Sequence, residues 1–272
     1  GVQTCALPIL LSRFINNDDN INLINRSMNK ITGTNYGIIS KEITDSIYND
    51  NPRKTPDYSK YLFDSVIKKC LNDECFTIDY LNFLFSFEGT INHHICFFIN
   101  QFIDEVNKLL TSNVNIKDNT YFSYIKDIQN FKNLGIIFGN MFLLINKKYT
   151  SPNTIDINIS NQKMMEILKD FHNIVANNLE WLPVNLDELY GRLYFMIGIY
   201  DIIFSDIWKQ LSLEQSNMVE DIFNKAYNLG SIPNKIKFKI LDFQDNIKKN
   251  KNINIQNTLN TNTNTNTNTN TD

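Results

Sequence analysis

The sequence predicts an all-α fold, an α-solenoid of about five antiparallel helix pairs. Three observations carry it. Apolar residues recur at spacings of three and four along most of the chain, and convincing strand alternation is absent. The segments so marked are joined by short links rich in polar residues, proline or glycine. The hydrophobic fraction of 42% is enough to give 272 residues one sizeable core, or at most two small ones.

The elements follow in order. Ile21, Ile24, Met28 and Ile31 lie on one helical face, and Gly33 breaks the pattern. A second helix is predicted over 35–47, then a loop marked by Pro52 and Pro56. An amphipathic helix over 61–71 is followed after a short turn by another over 76–87. Residues 91–110 form a longer helix and 112–119 a polar loop. Residues 121–147 read as two helices meeting near Asn133, and 149–161, with Pro152, as a linker. Further helices are predicted over 162–177, 186–203 and 213–229, with Glu180 and Trp181 in a loop. Gly230 reads as a C-terminal stop and Pro233 as a tolerated first-turn proline of a last helix reaching Lys249.

In that last helix Ile236, Ile240, Phe243 and Ile247 fall four, three and four apart, which makes them the buried stripe. Phe238 lies off the stripe among Lys235, Lys237 and Lys239, and Lys248, Lys249 and Lys251 continue the basic run. An aromatic outside the core and flanked by cations suits a protein or RNA contact. A solvated helix end favoured by the macrodipole explains the cations equally.

The ends read differently. The first nine residues, GVQTCALPI, resemble a translated sequencing adapter, and 10–20 a linker. The ordered domain is expected over 21–250, and 251–272, rich in Asn and Thr, as a disordered tail. Asn, Ile, Lys, Phe and Tyr, the products of A- and T-rich codons, are favoured, as in some protists and large DNA viruses.

A net charge of −3 excludes bulk attraction to nucleic acid or acidic membranes, so any RNA contact needs a local basic face. The most apolar stretch, 193–204, is too short to span a bilayer and carries Asp201. Setting Cys5 aside, the odd set Cys70, Cys75 and Cys96 points to free thiols in a reducing compartment rather than disulfides or a metal site. His93, His94 and His172 join no cysteine or carboxylate cluster, and no phosphate-cradling glycine loop occurs. Neither a metal, a cofactor nor an enzymatic activity is expected, and a cytoplasmic location is.

Four stretches, in order, carry a likeness to a known family: MNKITGTNY over 28–36, DSVIKKCLNDECFTIDY over 64–80, LGIIFGNMF over 134–142 and KIKFKILDFQD over 235–245. Together they resemble the middle domain of eukaryotic translation initiation factor 4 gamma, a scaffold of HEAT-type helix pairs. Gly33 stands where that family has proline, Asn140 where it has glutamate, and Lys235 and Lys237 where it has arginine. Lysine lacks the bidentate fork of arginine, which weakens a phosphate or carboxylate grip. The resemblance assigns Phe76 and Tyr80 to the core and places Gly139 where a neighbouring helix approaches closely.

The same resemblance implies a translation-initiation scaffold that binds and stimulates a DEAD-box helicase of the initiation factor 4A type. Met28, Ile31, Tyr36, Ile137, Phe142 and Phe238 are then the helicase contacts. Lys235, Lys237, Lys239, Lys248 and Lys249 become candidate contacts to mRNA. The alternative within the fold is an RNA-processing adaptor of the cap-binding-complex, nonsense-mediated-decay or splicing type, binding another helicase or a ribonucleoprotein. A cap-binding-factor peptide is not evident, so that partner would require a motif upstream.

Overall fold

The computed structural model describes residues 19–48, 55–111, 128–148, 161–180, 186–208 and 211–264, with side chains as far as Lys249. They hold ten helices and no strand: α1 Asp19–Met28, α2 Tyr36–Ile43, α3 Thr55–Asn72, α4 Thr77–Phe85, α5 Gly89–Thr111, α6 Ile128–Lys148, α7 Asn161–Glu180, α8 Leu186–Trp208, α9 Leu213–Asn228 and α10 Asn234–Asn264. The features predicted for residues 1–18, for Pro52, for 112–127 and 149–160, for Trp181 and for 265–272 lie outside the described residues.

Each helix packs on the next but one. One layer runs α1, α3, α5, α7, α9 and the other α2, α4, α6, α8, α10. Contacts between α1 and α2, α3 and α4, α7 and α8, and α9 and α10 join the layers. Antiparallel pairs return the chain to its starting edge, so next-but-one helices must run parallel. Asn20 Nδ2 donates to Tyr58 Oη (3.1 Å), Tyr61 Oη to Asn25 Oδ1 (3.0 Å) and Lys69 Nζ to Asn29 Oδ1 (2.8 Å). These contacts advance together along α1 and α3, as parallel helices require. The fold is thus an all-α, solenoid-like stack of helix pairs, as the periodicity predicts.

The core lies between the layers and takes one stripe from each helix. On α10 it is Ile236, Ile240, Phe243 and Ile247, none more than 2% exposed. Between α6 and α8 the contact is closer, because it is made through glycine. A Cβ built on Gly135 would run into the carbonyl oxygen of Phe195 and stand 3.0 Å from the Ile199 nitrogen. One on Gly198 would run into the Lys132 carbonyl oxygen and stand 2.9 Å from the Ile136 nitrogen. Gly139 also faces α8, with its Cβ position 3.3 Å from the Ile202 Cβ. The two backbones touch, and any side chain at Gly135 or Gly198 would part them.

Several predicted features are corrected. Helix α3 starts two turns early because Pro56 falls in its first turn, where a missing N–H is no loss. Asn133 does not separate two helices. It lies inside α6, buried, and its Nδ2 donates to the Leu71 carbonyl oxygen (2.7 Å). Glu180 is the last residue of α7 rather than part of a loop. Phe76 is not in the core: it ends a 3₁₀ turn that aims it outward, and it is 49% exposed. Tyr80 is half-buried, with Lys69 Nζ 5.3 Å from its ring centroid. Helix α9 ends on an extended Leu229, and Gly230 is not left-handed; among the described glycines only Gly89, with φ 63°, is. Helix α10 continues through Asn264.

At the start of α9, Ser212 Oγ accepts from the Gln215 amide (3.2 Å) while Gln215 Oε1 accepts from the Ser212 amide (3.0 Å). This capping box satisfies two otherwise orphaned donors. Ser212→Ala is expected to cost about 1 kcal/mol, measured by urea unfolding. An unchanged midpoint would show that α9 does not depend on its cap.

Candidate partner surface on the last helix

The stripe that buries α10 also fixes what it shows outside. With Ile236, Ile240, Phe243 and Ile247 turned inward, Phe238 and Leu241 fall on the opposite face, one turn apart. Phe238 is 67% exposed and Leu241 38%. Tyr227 of α9 is also exposed, with Lys237 Nζ 6.0 Å from its ring centroid. Covering a phenylalanine side chain fully gains about 1.5–3 kcal/mol, so Phe238 is a natural anchor for a partner.

The basic run is less available than its sequence suggests. Lys239 Nζ lies 3.2 Å from Asp201 Oδ1 on α8, which directs it along the molecule. Lys248 Nζ lies 3.7 Å from Asp245 on its own helix. Lys235 and Lys249 are exposed, but Asp242 and Asp245 are exposed on the same helix. The outward face of α10 is therefore of mixed charge around an apolar centre.

The other residues read as helicase contacts are placed differently. Met28 (2% exposed), Ile31 (8%), Ile137 (0%) and Phe142 (0%) are core side chains. Tyr36 is half-buried and packs against the same core. Met28, Ile137 and Phe142 belong to the inward stripes of α1 and α6, and Ile31 is buried in the connection between α1 and α2. The MNKITGTNY segment instead forms a turn closed by Asn35. Its Oδ1 accepts from the Thr32 amide and its Nδ2 donates to the Lys30 carbonyl oxygen, each at 2.8 Å. Gly33 in this turn faces Asp79, whose Oδ1 would be 3.1 Å from an added Cβ. Other exposed apolar residues are Ile38, Phe76, Ile78, Phe97 and Leu213.

A buried polar pair lies beneath α10. His172 Nε2 and Tyr200 Oη are 3.2 Å apart, and His172 Nδ1 has no hydrogen-bond partner. The Tyr200 ring contacts those of Phe204, Phe223 and Phe243. Burial pushes the imidazole down to about 4 and the phenol well up, so both are neutral at pH 7. The pair is a packing element closed to solvent. Cys70 and Cys96 are buried and Cys75 exposed, all three as free thiols, and burial pushes the Cys70 thiol up.

Among the described residues no group of three His, Cys, Asp or Glu could hold a metal ion. No helix among them is long and apolar enough to cross a membrane. No family model, curated protein or solved structure matches the chain. The likeness to the initiation-factor domain rests on the four sequence stretches.

Proposed function

We propose that this chain is a helical-repeat scaffold whose last helix offers Phe238 and Leu241 to a protein partner, and that the partner is a DEAD-box helicase of the initiation factor 4A type. The observation that carries the first half is Phe238: a large aromatic, 67% exposed, on a helix whose remaining large aromatic is buried. Exposed apolar side chains grouped on one face mark interaction surfaces. The choice of helicase rests on the sequence resemblance. A scaffold of this kind does no chemistry. It stimulates ATP turnover by binding the near-closed helicase more tightly than the open one, which shifts the population between them. RNA contact is secondary in this reading, a few salt-sensitive phosphate contacts from Lys235, Lys237, Lys248 and Lys249.

The test is a titration of the full chain against purified helicase, with ATPase activity read in parallel. Wild type is expected to bind and stimulate. Phe238→Ala with Leu241→Ala is expected to weaken binding at least about tenfold, the effect of losing one anchor of 1.4 kcal/mol or more. Failure of the folded wild type to bind turns the reading to the RNA-processing adaptor. Binding that the double variant leaves intact places the contact elsewhere on the solenoid.

A further inference from the structure

We infer that a chain of ion pairs, Glu74–Lys132–Asp201–Lys239, sets the spacing of the helices in one layer and acts as a salt-sensitive latch on the curvature of the solenoid. The four residues belong to successive helix pairs. Glu74 lies in the turn that opens α4, Lys132 in α6, Asp201 in α8 and Lys239 in α10. Lys132 Nζ is 2.8 Å from Glu74 Oε2 and 3.9 Å from Asp201 Oδ2, and Asp201 Oδ1 is 3.2 Å from Lys239 Nζ. The links therefore run from the turn before α4 to α6, from α6 to α8 and from α8 to α10, and one ammonium serves two carboxylates.

The links differ in what they can do. Between α6 and α8 the glycine contact already fixes the spacing, so the Lys132–Asp201 link crosses a rigid joint. The outer links cross from α6 to the start of α4 and from α8 to α10. There the helices meet through side chains, and their spacing is free to respond to the ion pair. Lys132 is 13% exposed, so its charge is poorly screened and needs its carboxylates. Lys239 is 41% exposed, so its link is open to added salt. Loosening the outer link would let α10 swing, and α10 carries Phe238 next to Lys239. The latch would thus control how the exposed aromatic is presented. The inference needs no helicase and stands or falls apart from the proposed function.

A distance measurement across the layer tests it. The full chain carries spin labels at Ile38→Cys and Asn234→Cys, both exposed positions, with Cys5→Ser and Cys75→Ser removing other reactive thiols. Wild type at about 50 mM salt is expected to give one narrow distance distribution, which moves and widens as salt rises to about 1 M. Lys239→Gln, which removes the exposed outer link alone, is expected to give the shifted distribution, at least twice as wide, at low salt and to lose the salt response. Lys239→Arg is expected to restore both. Equal distributions for wild type and Lys239→Gln, with equal helicity, would overturn the latch. So would a salt response that both share. Should Lys239→Gln fail to fold, Asp201→Asn, which removes the same link from its other side, decides: the wild-type response to salt overturns the inference, and its loss supports it.

Discussion

Gly198→Ala is expected to destabilise the protein by about 3 kcal/mol, the upper end of the ordinary cost of overpacking. The added Cβ would meet the Lys132 carbonyl oxygen and the Ile136 nitrogen, both backbone atoms of α6. A flexible side chain can turn away from an intruding methyl group, whereas a helix backbone must move as a unit. Gly135→Ala should behave alike, because its Cβ would meet Phe195 and Ile199 backbone atoms of α8. Gly37→Ala is the control. Nothing lies within 4 Å of its Cβ position, and the exchange in α2 is expected to be neutral or to stabilise by about 0.5 kcal/mol. Urea unfolding of the three variants checks the set. A Gly198→Ala protein as stable as wild type would mean that α6 and α8 are further apart than described.

The second large effect is a dependence of stability on pH from His172. Its folded value is about 4 against an ordinary 6.5. Above pH 6.5 neither the folded nor the unfolded chain holds the proton, and the group does not alter stability. As pH falls from 6.5 to 4 the unfolded chain takes up a proton that the folded chain refuses, so stability falls. Below 4 both hold it, and the loss stops growing. The gap corresponds to about 3 kcal/mol over this window. Carboxylates titrate in the lower part of the same range, so the comparison must be with a variant that lacks the pair. His172→Leu with Tyr200→Phe removes both partners and leaves neither buried and unmatched. It is expected to keep wild-type stability at pH 7 within about 1 kcal/mol and to lose clearly less between pH 7 and 4.5. An equal loss in wild type and variant would place the pH dependence outside His172.

How far these features were legible in the sequence depended on the reach of the signal. The α10 stripe was legible residue by residue, because spacings of four, three and four need only helix geometry, and the same spacing put Phe238 outside. Met28, Ile31, Ile137 and Phe142 were a harder case. An apolar stripe has the same pattern whether its own fold or another protein covers it, and only the assembled layers decide. Phe76, which the resemblance assigns to the core, ends a 3₁₀ turn, and such a turn aims side chains differently from an α-helix. Gly139 was noticed as a point of close approach, yet Gly135 and Gly198 make the tighter contact. Their meeting depends on knowing that α6 and α8 are layer neighbours, separated in sequence by all of α7. For the same reason Tyr200, 28 residues from His172, gave no sign of being its partner.

The order of contacts also says how damage spreads. The main contacts all join helices no more than three places apart, so the stack behaves as a short one-dimensional lattice. In such a lattice a lesion is felt by its neighbours and fades beyond them. Opening is resisted most at the strongest junction. That junction is the glycine seam of α6 and α8, placed in the interior of the row. Among the described helices, those remote from the seam should therefore open before α6 and α8 part, which makes partial unfolding an ordinary state rather than a failure.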